Sequence, residues 1–279
     1  MIDKNVANSV KPIDLATQQS IEFIESHVTL KDLSVLEVGA GNGDLAVAMM
    51  QRGAHVRAVD LFEDAVAAAK ARGVDIKLAD FLEYEDDPFD MIIFTRSLHH
   101  IHPVEKAVSN AARLLKPSGT LLIEELGPEL MDESTVKWLD GQLNAITLTE
   151  DSGLARNSNE HSRHAGEHGA HNDQQSKHAG EQVRHSDYIS KTASFEQWRK
   201  HHFDHHKISD SKTVCEALAK EFLLEPTQIV RVLYRYAIER LPENEEGYRS
   251  LLRIAEEEQD LMNKGKLRQI GYYLVGHKK

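Results

Sequence analysis

The amino-acid sequence predicts a doubly wound α/β protein: a mostly parallel, seven-stranded sheet with helices on both faces and a helical cap. Three observations carry this. Short apolar runs of strand length alternate with stretches of helix length through residues 1–126. The helical stretches end in breakers, glycine or a Lys-Pro-Ser-Gly turn, so each helix hands the chain back to a parallel neighbour. The apolar runs are rich in Val, Ile and Leu, as expected of strands covered on both faces.

Taken in order, Ile13–Val28 places Ile21, Ile24 and Val28 on one helical face that would pack on the sheet. Strands are expected at Ser34–Val38, Ala54–Asp60, Val74–Leu78, Phe89–Thr95 and Thr120–Leu126. Helices are expected at Asp44–Arg52, stopped by Gly53, at Glu63–Arg72, stopped by Gly73, and at Pro103–Leu115, opened by proline in its first turn. After Leu126 the alternation breaks. Met131–Leu148 reads as a helix anchored by Trp138. Asn157–Asp187 has Val183 as its one large aliphatic residue, and this composition predicts disorder. The stretch also repeats itself: Ser162–Asp173 matches Ser176–Asp187 at an offset of fourteen residues, the mark of an inserted duplication. Helices are expected again at Tyr188–His206 and Lys212–Phe222, the second burying Cys215, Leu218 and Phe222 as packing residues. Gln228–Tyr236 reads as a strand, Asn244–Asn263 as a charged amphipathic helix and Leu267–Gly276 as a final strand. The division is therefore an α/β core over 1–126, a cap region over 127–227 containing the His-rich insertion 157–187, and a sheet-completing end over 228–279.

Composition narrows the function. Acids outnumber Lys and Arg by 45 to 33, a formal charge of -12, and no basic cluster interrupts this, so no nucleic acid and no anionic membrane is expected as partner. One cysteine excludes an internal disulfide framework or a Cys-based zinc module. Residues 1–8 carry no apolar export core, and a cytoplasmic setting is expected. Sixteen histidines are the oddity; protonating all of them would move the charge from -12 to +4, and ten lie between His161 and His206. On a helix His201/His205 and His202/His206 would be i, i+4 pairs, the spacing that can share a metal, but without fixed geometry no metal site is assigned.

The informative motif follows the first strand. Glu37-Val-Gly39-Ala40-Gly41-Asn-Gly43-Asp44 sets glycines at every second position, where backbone must turn tightly and approach a ligand closely. The dinucleotide fingerprint G-x-G-x-x-G would need glycine where Asp44 stands. The motif resembles motif I of the class I S-adenosylmethionine-dependent methyltransferases, and further landmarks follow in the order that family has them. These are Asp60-Leu61 ending the second strand, Asp80-Phe81 after the third, Thr95 to Ile101 after the fourth, and Leu114 to Ile123 turning into the fifth. The resemblance implies a Rossmann-like fold with S-adenosylmethionine as cofactor. It implies Glu37, Gly39, Ala40, Gly41 and Gly43 around the amino-acid end, Asp60 with Leu61 at the ribose, Asp80 with Phe81 at the adenine, and Thr95 beside the methionine moiety.

The methyl acceptor is less legible. His99 and His100 stand after the fourth strand, where a general base serves an oxygen, nitrogen or carbon nucleophile, or where a histidine simply packs the loop. The family's N-methylation signature is replaced by Thr95-Arg96-Ser97-Leu98. The expected activity is direct in-line methyl transfer to a small organic molecule. The alternatives are a catalytically silent binding protein and a metal- or pH-responsive interaction protein working through the His-rich tract.

Overall fold

In a computed structural model, which describes residues 10–157 and 208–279, five parallel strands form one side of a mixed sheet. They are β1 (Ser34–Val38), β2 (His55–Asp60), β3 (Asp75–Leu78), β4 (Phe89–Thr95) and β5 (Leu115–Leu126). The other side is β6 (Phe222–Leu224), β7 (Gln228–Val230) and β8 (Gly271–Lys278). The sheet order is β3-β2-β1-β4-β5-β8-β6, with β7 paired to β8, so eight strands form it rather than seven. β8 runs antiparallel to β5 from Thr120↔His277 to Leu126↔Gly271. No helix among the described residues is long and apolar enough to cross a membrane.

Alternate residues of each strand feed two apolar layers, as the period of a strand requires. Leu36, Val38, Ile92, Phe94, Leu121 and Ile123 face α4 (Val104–Leu114) and α6 (Ser211–Glu221). Val35, Met91, Ile93 and Leu122 face α1 (Pro12–Glu25), α2 (Asp44–Met50) and α3 (Glu63–Ala71). α6 contributes Val214, Ala217 and Leu218 to the same layer as α4, although it lies in the segment expected to be cap; Cys215 is half-buried against that layer. A third apolar cluster joins α5 (Glu133–Asn157), a 3-10 segment (Leu233–Arg240), α7 (Glu245–Asn263) and the start of α1. Helix starts use the expected chemistry. The Asp210 carboxylate accepts from the Thr213 amide (2.7 Å), and the Asn244 side chain accepts from the Glu246 and Gly247 amides.

Two expected elements are corrected. The strand expected over Gln228–Tyr236 stops at Val230, because the buried Glu258 carboxylate of α7 accepts the amides of Val232 (2.8 Å), Leu233 (2.9 Å) and Tyr234 (2.8 Å). Those amides are lost to any strand ladder, and the chain coils into the 3-10 segment. The last strand begins at Gly271 rather than Leu267, since the Arg268 amide is taken by the Thr135 hydroxyl (3.0 Å). The expected disorder over Asn157–Asp187 and the helix Tyr188–His206, with its histidine pairs, fall outside the described residues, except that Asn157 ends α5.

Replacing Glu258 by Ala strands three buried amides. The expected loss is about 3–5 kcal/mol in urea unfolding, with Gln recovering part of it because its carbonyl still accepts.

Candidate active site

The strand order reverses between β1 and β4: from β1 the chain winds outward through β2 and β3, then returns to place β4 on the other side. The two loops leaving the carboxyl ends of β1 and β4 therefore diverge and leave a crevice, the usual ligand position in a doubly wound sheet. The glycine motif and the 95–100 loop are those two loops.

The three motif glycines all have left-handed backbone, with φ of 74° at Gly39, 53° at Gly41 and 77° at Gly43. Their surroundings differ. A side chain on Gly39 would meet Ser97 Cβ at 2.6 Å, and Ser97 Oγ donates to the Val38 carbonyl (2.6 Å), so the two crevice loops are locked together there. At Gly43 a Cβ would press on Ala69 and Val74, which lets α2 start tight against α3. Gly41 faces open space. Its amide donates to the Asp60 carboxylate (2.8 Å), whose other oxygen accepts from the Phe62 amide (3.0 Å). Asp60 is 7% exposed and ties the cradle to the end of β2.

Glu37, at the end of β1 and 1% exposed, has one carboxylate oxygen without a partner among the described residues. Burial, with the charges of Asp44 and Asp60 adding to it, pushes its carboxyl up to about 8. Ala40 is buried in the layer facing α2, and Thr95 is half-buried at the end of β4, opposite Glu124 of β5. Asp80 caps its own turn, accepting from the Leu82 amide (2.8 Å). The Phe81 ring is 3% exposed and packs edge-on against Phe94 (centroids 5.4 Å apart) in the core, so its backbone rather than its ring is open to a ligand at this end. The exposed apolar surface lies instead at the end of β2, where Leu61 is 59% and Phe62 51% exposed. The sequence signal for Phe62 is its place two residues after Asp60.

The two histidines separate in role. His99 is buried, and its Nδ1 lies 2.5 Å from the Glu125 carboxylate of β5, which also accepts the His99 amide (3.2 Å). His100 is exposed, its ring 4.0 Å from that of His99. Behind the pair stands the Tyr272 hydroxyl, buried without a partner among the described residues and pushed up by burial and by Glu125, so it stays protonated. Glu125 was not singled out from sequence; within Glu124-Glu125 at a strand end nothing distinguishes the acid that meets a histidine.

The donor set suits an adenosyl amino acid. An unpartnered buried carboxylate matches an ammonium group, Asp60 keeps lone pairs free for a vicinal diol, Gly41 leaves room at the cradle, and Leu61 and Phe62 offer an apolar face.

A family profile described as a methyltransferase domain matches residues 16–220. The chain belongs to the methyltransferase domain family, and its fold is that of the class I S-adenosylmethionine-dependent members. Curated relatives include the ubiquinone biosynthesis O-methyltransferases of Coxiella burnetii, 31% identical over 130 residues, and Xylella fastidiosa, 32% identical over 129. The first match takes in 44% of this chain and 56% of the relative, the second 43% and 52%, so the chain spans about half the length of the curated relatives it matches. Among solved structures, an S-adenosylmethionine-dependent methyltransferase from Mesorhizobium loti superposes with a TM-score of 0.54 at 14% identity, covering 95% of this chain and 100% of the other. Phosphoethanolamine N-methyltransferase 2 of Haemonchus contortus, in complex with S-adenosyl-L-methionine, gives 0.55 at 16%, covering 94% and 52%.

The state of Glu37 predicts a pH effect. Its folded value of about 8 lies above its ordinary value of 4.5, so the folded chain keeps a proton that the unfolded chain releases. Stability falls as pH rises from 4.5 to about 8. Glu37→Gln should flatten this slope and raise the melting temperature more at pH 8 than at pH 5 relative to wild type; equal shifts at both pH values would mean that Glu37 is ionised in the free protein.

Proposed function

We propose that the protein is an S-adenosylmethionine-dependent O-methyltransferase acting on a small organic molecule. One observation carries this reading: the glycine cradle with Asp60 and the buried His99–Glu125 pair stand at the same carboxyl edge of the sheet, on loops that Ser97 locks together. The curated O-methyltransferases it resembles support oxygen as the acceptor atom.

In this mechanism Asp60 accepts the two ribose hydroxyls, each in a charge-assisted hydrogen bond, while Gly41 and Phe62 hold the carboxylate in place. Glu37 would hold the ammonium group, and a cation there would favour its ionised form over the protonated form that burial keeps. The bound cofactor supplies a methyl group already activated on a sulfonium. Glu125 accepts the Nδ1 hydrogen of His99 and fixes the tautomer, leaving Nε2 to take the proton of the acceptor hydroxyl as its oxygen attacks. The imidazolium that forms is stabilised by the Glu125 charge. His100, at the exposed rim, contributes surface rather than the proton transfer. The pair is shielded from bulk water, since His99 and Glu125 are 4% and 0% exposed.

Asp60→Ala should weaken S-adenosylmethionine binding in calorimetry by roughly 1.5–3 kcal/mol for each charge-assisted bond lost. Unchanged affinity would remove Asp60 from the ribose. NADH should not compete.

With labelled cofactor and a panel of phenols and catechols, His99→Ala should lower turnover about 10²–10⁴-fold with cofactor affinity within about twofold, and His100→Ala should leave most of it. Equal turnover in His99→Ala and wild type would end the base assignment. A loss in His100→Ala alone would transfer the role to its neighbour.

A further inference from the structure

A charged cluster beside the His99–Glu125 pair has no part in proton removal. Arg96, the residue after β4, has φ of 54°, a left-handed backbone that an arginine adopts only at a cost of about 1 kcal/mol or more. Its amide donates to the Glu124 carbonyl (2.6 Å), which folds the loop across β5. Its Nε is buried with no acceptor, and it forms no ion pair among the described residues. Arg235, Glu124, Tyr234 and Tyr236 are the titratable groups near enough to act on its charge.

Glu124 is already engaged. Fully buried, it pairs with Arg235 Nη1 (2.7 Å) and accepts from Ser20 Oγ (2.7 Å). Arg235 thus takes the Glu124 carboxylate, and the half-buried Arg96 guanidinium has no ion-pair partner among the described residues. Arg235 also reaches the Ala16 carbonyl and Ser20 Oγ (both 3.3 Å), so it is the held partner and Arg96 the unmatched one. Burial and the Arg235 charge both pull the Arg96 guanidinium below its usual range. A half-buried guanidinium whose Nε is enclosed without an acceptor is an unfavourable arrangement, and an arriving anion relieves it. The position suits a substrate: Arg96 lies between Thr95 and Ser97, the residue locked to Gly39, and three residues before the proposed base.

We propose that Arg96 recognises a carboxylate on the methyl acceptor, so that the acceptor is a small organic acid whose acid group docks on Arg96 while its hydroxyl meets His99. The proposal rests on the methyl-transfer reading of the same crevice. A single excess positive charge matches a monoanion; a phosphate monoester, near two negative charges at neutral pH, overcompensates it. Guanidinium geometry favours a forked contact with carboxylate oxygens. Tyr236, pushed up to about 12 by burial, keeps its proton and adds no negative charge to the cluster.

The test measures affinity for benzoate, benzamide and phenyl phosphate by calorimetry, each with S-adenosylhomocysteine present. Benzoate should bind wild type about tenfold or more tightly than benzamide, its neutral isostere. Arg96→Gln should bring the two within about twofold, and Arg96→Lys, which keeps charge but loses the fork, should fall between. The proposal is overturned by equal affinities in wild type, by phenyl phosphate binding more tightly than benzoate, or by a benzoate preference that survives Arg96→Gln. Circular dichroism checks each variant; should Arg96→Gln fail to fold, the wild-type panel with Arg96→Lys decides. Failure to bind S-adenosylhomocysteine would remove the methyl-transfer reading and this proposal with it, whereas its binding without a benzoate preference removes only the role of Arg96.

Discussion

The contact between the Gly41 amide and the Asp60 carboxylate (2.8 Å) is the constraint on which the crevice depends. It joins two loops that leave different strands, and it does so with a charged acceptor in a nearly buried setting, where such bonds are strong. Because the second oxygen is occupied by the Phe62 amide, the carboxylate cannot rotate away. The cradle is thereby shaped by the chain itself. On the opposite wall the Ser97 hydroxyl does the same for β4, so both lips of the crevice are pinned from the backbone of β1 outward.

Four glutamates in the interior show how surroundings decide what one residue type does. Glu258 is surrounded by backbone amides and becomes a structural acceptor that ends a strand. Glu124 meets a guanidinium and a hydroxyl; Glu125, its neighbour on the other face of β5, meets an imidazole. Glu37 meets no cation among the described residues, and burial beside Asp44 and Asp60 raises its proton affinity.

Much of this was readable from sequence where the physics is local. Strand and helix alternation up to Leu126 follows from apolar period and from breakers at Gly53, Gly73 and Pro117, and the glycine spacing marks the left-handed turn after β1. What escaped depends on partners distant in the chain. The amides of Val232 to Tyr234 look like strand amides until Glu258 is brought to them from α7. Phe81 follows an acid in the expected order, yet its ring turns inward because Phe94 and the α4 side of the sheet offer it more apolar contact than the crevice does. Arg96 carries no periodic signal at all; only its backbone conformation and the engagement of Glu124 by Arg235 mark it out.

β8 is the latest strand in chain order, yet it lies inside the sheet, with β5 on one side and β6 and β7 on the other. Until it emerges from the ribosome, the long edge of β5 has no neighbour, and its row of open amides and carbonyls can pair with any extended chain nearby. Synthesis therefore passes through a stage in which the parallel half of the sheet carries an open edge that β8 later closes.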